Sequence, residues 1–127
     1  MQNKLVIVAI LALSGASALA GYKTNPPIQM SPTAAFGPMG TARNSSDSTQ
    51  YMGCELYATT SFSQAICSAR DPSGTSYVCS TQNDDMKKAV AAMTDGAHIV
   101  FTFSASDPSQ CTSIGVKTSS RYAPPVL

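Results

Sequence analysis

Ser63-Gln64-Ala65-Ile66-Cys67-Ser68-Ala69-Arg70-Asp71-Pro72-Ser73-Gly74-Thr75-Ser76-Tyr77-Val78-Cys79-Ser80-Thr81 holds two strand-like runs, 63–70 and 75–81, around one turn. Asp suits the first position of a type I turn, Pro presets φ at the second, and Gly is favoured at the fourth. A hairpin centred on Ser73 sets Cys67 opposite Cys79 and Ala69 opposite Tyr77, because the turn fixes the register of the strands it joins.

Upstream, Tyr51 to Ala58 alternates with the period of a half-buried strand. Met52, Cys54, Leu56 and Ala58 share the face expected to point inward, and Tyr51, Glu55 and Tyr57 share the outward one. A turn over Thr59 to Phe62 pairs this strand with the next, setting Cys54 against Cys67 and Leu56 against Ala65. A three-stranded antiparallel meander follows.

Downstream the period changes. Met86, Val90 and Met93 recur at helical spacing after Asn83-Asp84-Asp85, a cap followed by an acidic first turn. The sequence predicts one short amphipathic helix ending near Asp95-Gly96. Ala97, Ile99, Phe101 and Phe103 then alternate against His98, Val100 and Thr102. A turn at Asp107-Pro108-Ser109-Gln110 would close a second hairpin with Cys111 to Thr118, opposing Phe103 to Ile114 and Phe101 to Val116. The expected fold is α+β: the meander, one helix across its inner face, and a β-hairpin extending the sheet.

The chain has four cysteines, Cys54, Cys67, Cys79 and Cys111, which three pairings could join in two disulfides. In the expected register Cys54 and Cys79 lie two strands apart, about 10 Å, beyond the roughly 7 Å limit for a bridge. Two pairings remain, Cys54–Cys67 with Cys79–Cys111, and Cys67–Cys79 with Cys54–Cys111. The first is favoured because its second bridge ties the meander to the last hairpin. The intervals lack a Cys-x2-4-Cys knuckle for zinc and a Cys-x-x-Cys redox pair, so no cofactor and no metal are expected.

Lys4, the apolar run Leu5 to Leu13 and the Ala18-Leu19-Ala20 pattern read as a secretory signal peptide over residues 1–20. The expected location is secreted or periplasmic, where cysteines can oxidise. Residues 21–49, rich in Pro, Ser and Gly without apolar period, are expected to be a flexible arm, the alternative being that Ile28 to Phe36 docks on the domain or on a partner. The arm carries Asn44-Ser45-Ser46, which matches an N-glycosylation acceptor. The domain is expected at 50–118, and 119–127 as an extended tail, tied down if Tyr122 finds a pocket.

Cleavage after Ala20 removes Lys4 from eight basic residues, and the remaining seven balance seven acidic ones. A chain of zero net side-chain charge has no field to gather a polyanion, so nucleic acid is not an expected partner. No second apolar run of membrane length is present, so stable membrane association is not expected either.

No catalytic motif emerges. A Ser or Cys hydrolase needs a base beside its nucleophile, and the one candidate base is His98, expected on the outward side of its strand and exposed or half-exposed there. No Gly-x-Ser-x-Gly elbow surrounds a serine. A small secreted hydrolase using His98 is therefore the alternative to a non-catalytic reading. The candidate binding residues are Tyr51, Glu55 and Tyr57, since tyrosines on an outer sheet face offer ring area and a hydrogen-bonding hydroxyl to a protein or carbohydrate. The Asp71 to Gly74 turn could serve an inhibitor of an extracellular enzyme.

Tyr51-Met52-Gly53-Cys54, Cys67-Ser68-Ala69-Arg70-Asp71, Gly74 to Cys79 and Cys111-Thr112-Ser113-Ile114 together resemble a group of small exported disulfide-bonded bacterial proteins, over roughly Ala42 to Pro125. The resemblance implies the covalent framework and supplies no catalytic residue. The function expected from the sequence is a secreted, non-catalytic binding or structural module.

Overall fold

A computed structural model describes residues 21–126; the leader expected at 1–20 lies outside them. The elements are β1 (Gln29–Ser31), β2 (Ala34–Pro38), α1 (Met39–Asn44), β3 (Tyr51–Ala58), β4 (Ser63–Arg70), β5 (Ser76–Thr81), α2 (Asp84–Ala91), β6 (His98–Phe103) and β7 (Cys111–Lys117). They form a mixed α+β fold with two antiparallel sheets, β1-β2-β6-β7 and β3-β4-β5. The second hairpin thus belongs to the other sheet, beside β1 and β2, and does not extend the meander.

The meander follows its turns. Cys54 faces Cys67, Leu56 faces Ala65, Cys67 faces Cys79 and Ala69 faces Tyr77. Between β4 and β5, the Gly74 amide donates to the Asp71 carbonyl at 3.0 Å, and the Asp71 carboxylate accepts from the Thr75 amide at 2.9 Å. Gly74 sits at φ +92, a conformation that costs other residues steric strain.

In α2 the Asn83 carboxamide oxygen accepts from the Asp85 and Met86 amides, both at 3.0 Å. Two of the donors that every helix start leaves open are thereby satisfied. The helix ends at Ala91, earlier than its apolar spacing implies, and Met93 is carried in a following turn whose amide reaches the Val90 carbonyl. Val90 is buried, and Met86 and Met93 pack against the same core.

In β6 and β7, Phe101 faces Ile114 and Ile99 faces Val116, with an irregularity between Thr102 and Phe103. The pairing is two residues from the expected one. A shift of two preserves which face each side chain occupies, so Ile99, Phe101 and Phe103 still point inward and are buried. The slip has a local cause: the turn that was to close the hairpin is recruited to the other sheet. The Ser80 amide donates to the Ser109 carbonyl at 2.8 Å, Ser80 bridges Gln110, and Cys79 is bonded to Cys111.

The expectation of a flexible arm at 21–49 is overturned. Ala34 to Pro38 pairs along β6 from Thr102 to His98, and Gln29 to Ser31 pairs with β2. Ile28 and Ala35 are core residues. The segment has no period because its strand is made of Ala, Gly and Pro with one Phe; its order comes from backbone pairing with β6, a tertiary effect that local composition does not carry.

The core lies between the sheets and α2. Tyr77 meets Phe103 with ring centroids 4.6 Å apart, and Phe101 lies 6.4 Å from Phe103. Two disulfides, Cys54–Cys67 and Cys79–Cys111, reinforce it, the second joining the sheets. Among the described residues no helix is long and apolar enough to cross a membrane.

Candidate functional site

Strand register sorts the outward face of β3-β4-β5 into rows. Tyr51 lies beside Arg70 and Ser76, Gly53 beside Ser68 and Val78, Glu55 beside Ile66 and Ser80, and Tyr57 beside Gln64. The centre is low and the ends are aromatic. A Cβ added to Gly53 would meet nothing within 4 Å. Tyr51 is 38% exposed, Tyr57 55% and Val78 55%, and Glu55 is exposed. The Arg70 guanidinium stands 5.4 Å from the Tyr51 ring centre, which orders that ring through its quadrupole. At about 3.3 Å per residue the two tyrosines are about 20 Å apart along β3.

Each tyrosine also borders a concavity. Tyr51 lines a cleft of about 460 Å³ with Arg43, Asp47, Gln50 and Asp95. Tyr57 lines a groove of about 400 Å³ with Leu56, Ala58, Ala91, Lys87 and Lys88. The first cleft has a stiff wall. The Asp47 carboxylate accepts from the Thr49 and Gln50 amides at 2.8 Å each and from the Gln50 side-chain amide at 2.6 Å. These donors hold its pKa down to about 2, the Gln50 side chain contributing most. Gln50 in turn accepts from the Ile28 amide at 2.9 Å, fastening the start of the β1-β2 segment to the loop before β3.

Leu56 and Ala58 keep the parity of the inward face but are not buried. Leu56 is 48% exposed and Ala58 is exposed. The core ends near Cys54, and beyond it the β3-β4 hairpin overhangs the lysine side of α2. Lys87 reaches across this groove to Ser63 of β4 at 2.6 Å and pairs with Asp84, one turn back on its own helix, at 2.9 Å. Alternation gives the parity of a side chain and not the extent of what lies beneath it.

His98 points outward from its sheet as alternation requires, between Pro38 of β2 and Lys117 of β7, yet it is buried. The expected exposure fails because the segment 119–126 lies over it. The Tyr122 ring centre is 5.0 Å from that of His98. Nδ1 of His98 is buried without a hydrogen-bond partner, so no nucleophile is bonded to that nitrogen. Burial, followed by the charge of Lys117, lowers the pKa of the ring below its ordinary 6.5.

The remaining sequence candidates fall elsewhere. Tyr77 is spent in the core against Phe103. The acceptor asparagine Asn44 has both ends of its amide engaged, donating to the Pro124 carbonyl at 2.9 Å and accepting from the Val126 amide at 2.7 Å. Asp71 serves its turn, and its carboxyl is held below the usual range chiefly by the Ser73 hydroxyl. Cys54, Cys67, Cys79 and Cys111 are all in disulfides. Among the described residues no group of three or more His, Cys, Asp or Glu side chains is placed to hold a metal ion. Val78, absent from the sequence candidates, joins the outward face through the register that the Asp71 to Gly74 turn sets.

No protein-family model, curated protein or solved structure matches this chain.

Proposed function

We propose that the chain is an exported, non-catalytic binding module whose contact surface is the outward face of β3-β4-β5, with Tyr51, Glu55 and Tyr57 as its contact residues and a protein as its partner. The observation that carries this proposal is the pair of exposed tyrosines at opposite ends of a face whose two middle rows are Gly53, Ser68 and Val78, and Glu55, Ile66 and Ser80. Such a face presents aromatic anchors around a flat, partly apolar centre, and tyrosine supplies large contact area at low entropic cost. Exposed Val78, together with half-buried Ile66, favours a protein partner over a sugar, since sugars offer hydroxyls and these side chains cannot answer them. The Cys54–Cys67 bridge stiffens the platform from behind, between adjacent strands.

Hydroxyl-radical footprinting of the chain with and without the proteins of its native extracellular fluid tests this. Loss of labelling at Tyr51, Tyr57 and Val78 together supports the face. Loss confined to the Asp71 to Gly74 turn would move the contact to that loop, and binding to a glycan array with no protein retained would replace the partner by a carbohydrate.

A further inference from the structure

The segment 119–126 is held as a strap by contacts of different kinds. Asn44 grips its backbone at Pro124 and Val126. The Arg121 carbonyl accepts from the Thr24 amide at 3.0 Å. A Cβ at Gly40 would overlap the Ala123 carbonyl oxygen, so the strap lies directly on the backbone of α1. Finally, Tyr122 covers the His98 ring at 5.0 Å. The first three contacts do not involve a titrating side chain. The fourth does.

Protonated, His98 would carry an Nδ1–H that is buried with no carboxylate to receive it. Lys117 faces it from β7, β2 places Pro38 on its other side, and the strap contributes Tyr122 with Arg121 stacked 6.0 Å from that ring. The charge that bears on it, Lys117, is positive, and its Nδ1 has no acceptor. A buried charge without a partner is expensive; lifting the strap gives the ring to water.

We propose that the strap 119–126 is an acid-released latch, closed over neutral His98 and opened when that histidine takes up a proton. Its pKa, lowered in the closed state, sets the sign. Strap closure is at full strength above 6.5. Below it the open state binds the proton first, so the closed-to-open ratio falls, by at most about tenfold per pH unit, until the covered ring itself titrates.

The test is amide-exchange protection of Val126 and Thr24 in the full chain, read by NMR as protection factors from pH 7.5 to 4.5. The expected result is a progressive loss starting near pH 6.5 that levels off once the covered ring titrates, with β4 amides more protected than Val126 and Thr24 at every pH, and no such loss in His98→Phe. A flat profile in the native chain, or the same loss in His98→Phe, overturns the proposal. Should His98→Phe not fold, Tyr122→Ala decides: with the cover removed, the His98 ring should titrate nearer 6.5 than in the native chain, and an unchanged titration overturns the proposal.

Discussion

Asn44 holds the chain on both sides of Pro125, its amide donating to the Pro124 carbonyl at 2.9 Å and accepting from the Val126 amide at 2.7 Å. One side chain at the end of a six-residue helix thereby anchors a segment some eighty positions away. Asn44→Ala removes both bonds, each worth about 0.5–1.5 kcal/mol in net terms. The expected outcome is a loss of about 1–2 kcal/mol in urea unfolding, together with proteolytic sensitivity confined to the strap. Gly40→Ala should release the strap as well, because the added methyl occupies the place of the Ala123 carbonyl.

The two disulfides should differ in worth. Cys79–Cys111 closes a separation of 32 residues and joins the two sheets, whereas Cys54–Cys67 closes 13 within one hairpin. Chain-entropy arguments give about 4 and about 3 kcal/mol respectively. Replacing Cys79 and Cys111 by Ala is expected to cost more in denaturant unfolding than replacing Cys54 and Cys67. Peptide mapping without reduction should recover these two pairs and no other.

Phe101 is fully buried, at 0% exposure, and sits where the inward face of β6 meets Ile114 of β7 and Ala35 of β2. Phe101→Ala should cost about 3–5 kcal/mol, the penalty for emptying a core aromatic site. A change near zero by calorimetry would contradict the assignment of the inward face.

Asp47 predicts an acid limb of its own. Its folded pKa is lowered from 3.8 to about 2, so the stabilisation it brings is present above 3.8 and is lost as pH falls towards 2. Asp47→Asn should flatten that part of the stability profile and leave the His98-dependent loss nearer pH 6 unaltered. Urea midpoints between pH 2 and 7 separate the two.

How much of this was legible in the sequence depends on where order originates. The meander was readable to the register, since Asp71-Pro72-Ser73-Gly74 dictates its own turn and brings Cys67 opposite Cys79. The Asn83 cap was likewise local. By contrast, Ala34 to Gly37 becomes a strand through β6, and Ser119 to Val126 is fixed by Asn44, Gly40 and Tyr122; neither segment signals a partner in its own residues. The same holds at the candidate site. The outward parity of Tyr51, Glu55 and Tyr57 followed from alternation, whereas the overhang that exposes Leu56 and the cover that buries His98 are tertiary.

The cover also changes what a histidine substitution means. His98→Ala, near neutral for an exposed strand residue, instead removes a ring packed under Tyr122 and leaves a cavity there. Thermal unfolding should register a clear loss of stability, beyond the roughly 0.5 kcal/mol of a surface change.

The contact face is tested most directly by comparing the native chain with Tyr51→Ala/Tyr57→Ala, both immobilised and exposed to the same native extracellular fluid, with retained proteins quantified by mass spectrometry. Both rings are substantially exposed, so the variant should keep its circular dichroism spectrum. Retention of the protein held specifically by the native chain should fall at least about tenfold, the equivalent of 1.4 kcal/mol. Equal retention by the folded double variant would contradict the assignment of this face as the contact surface.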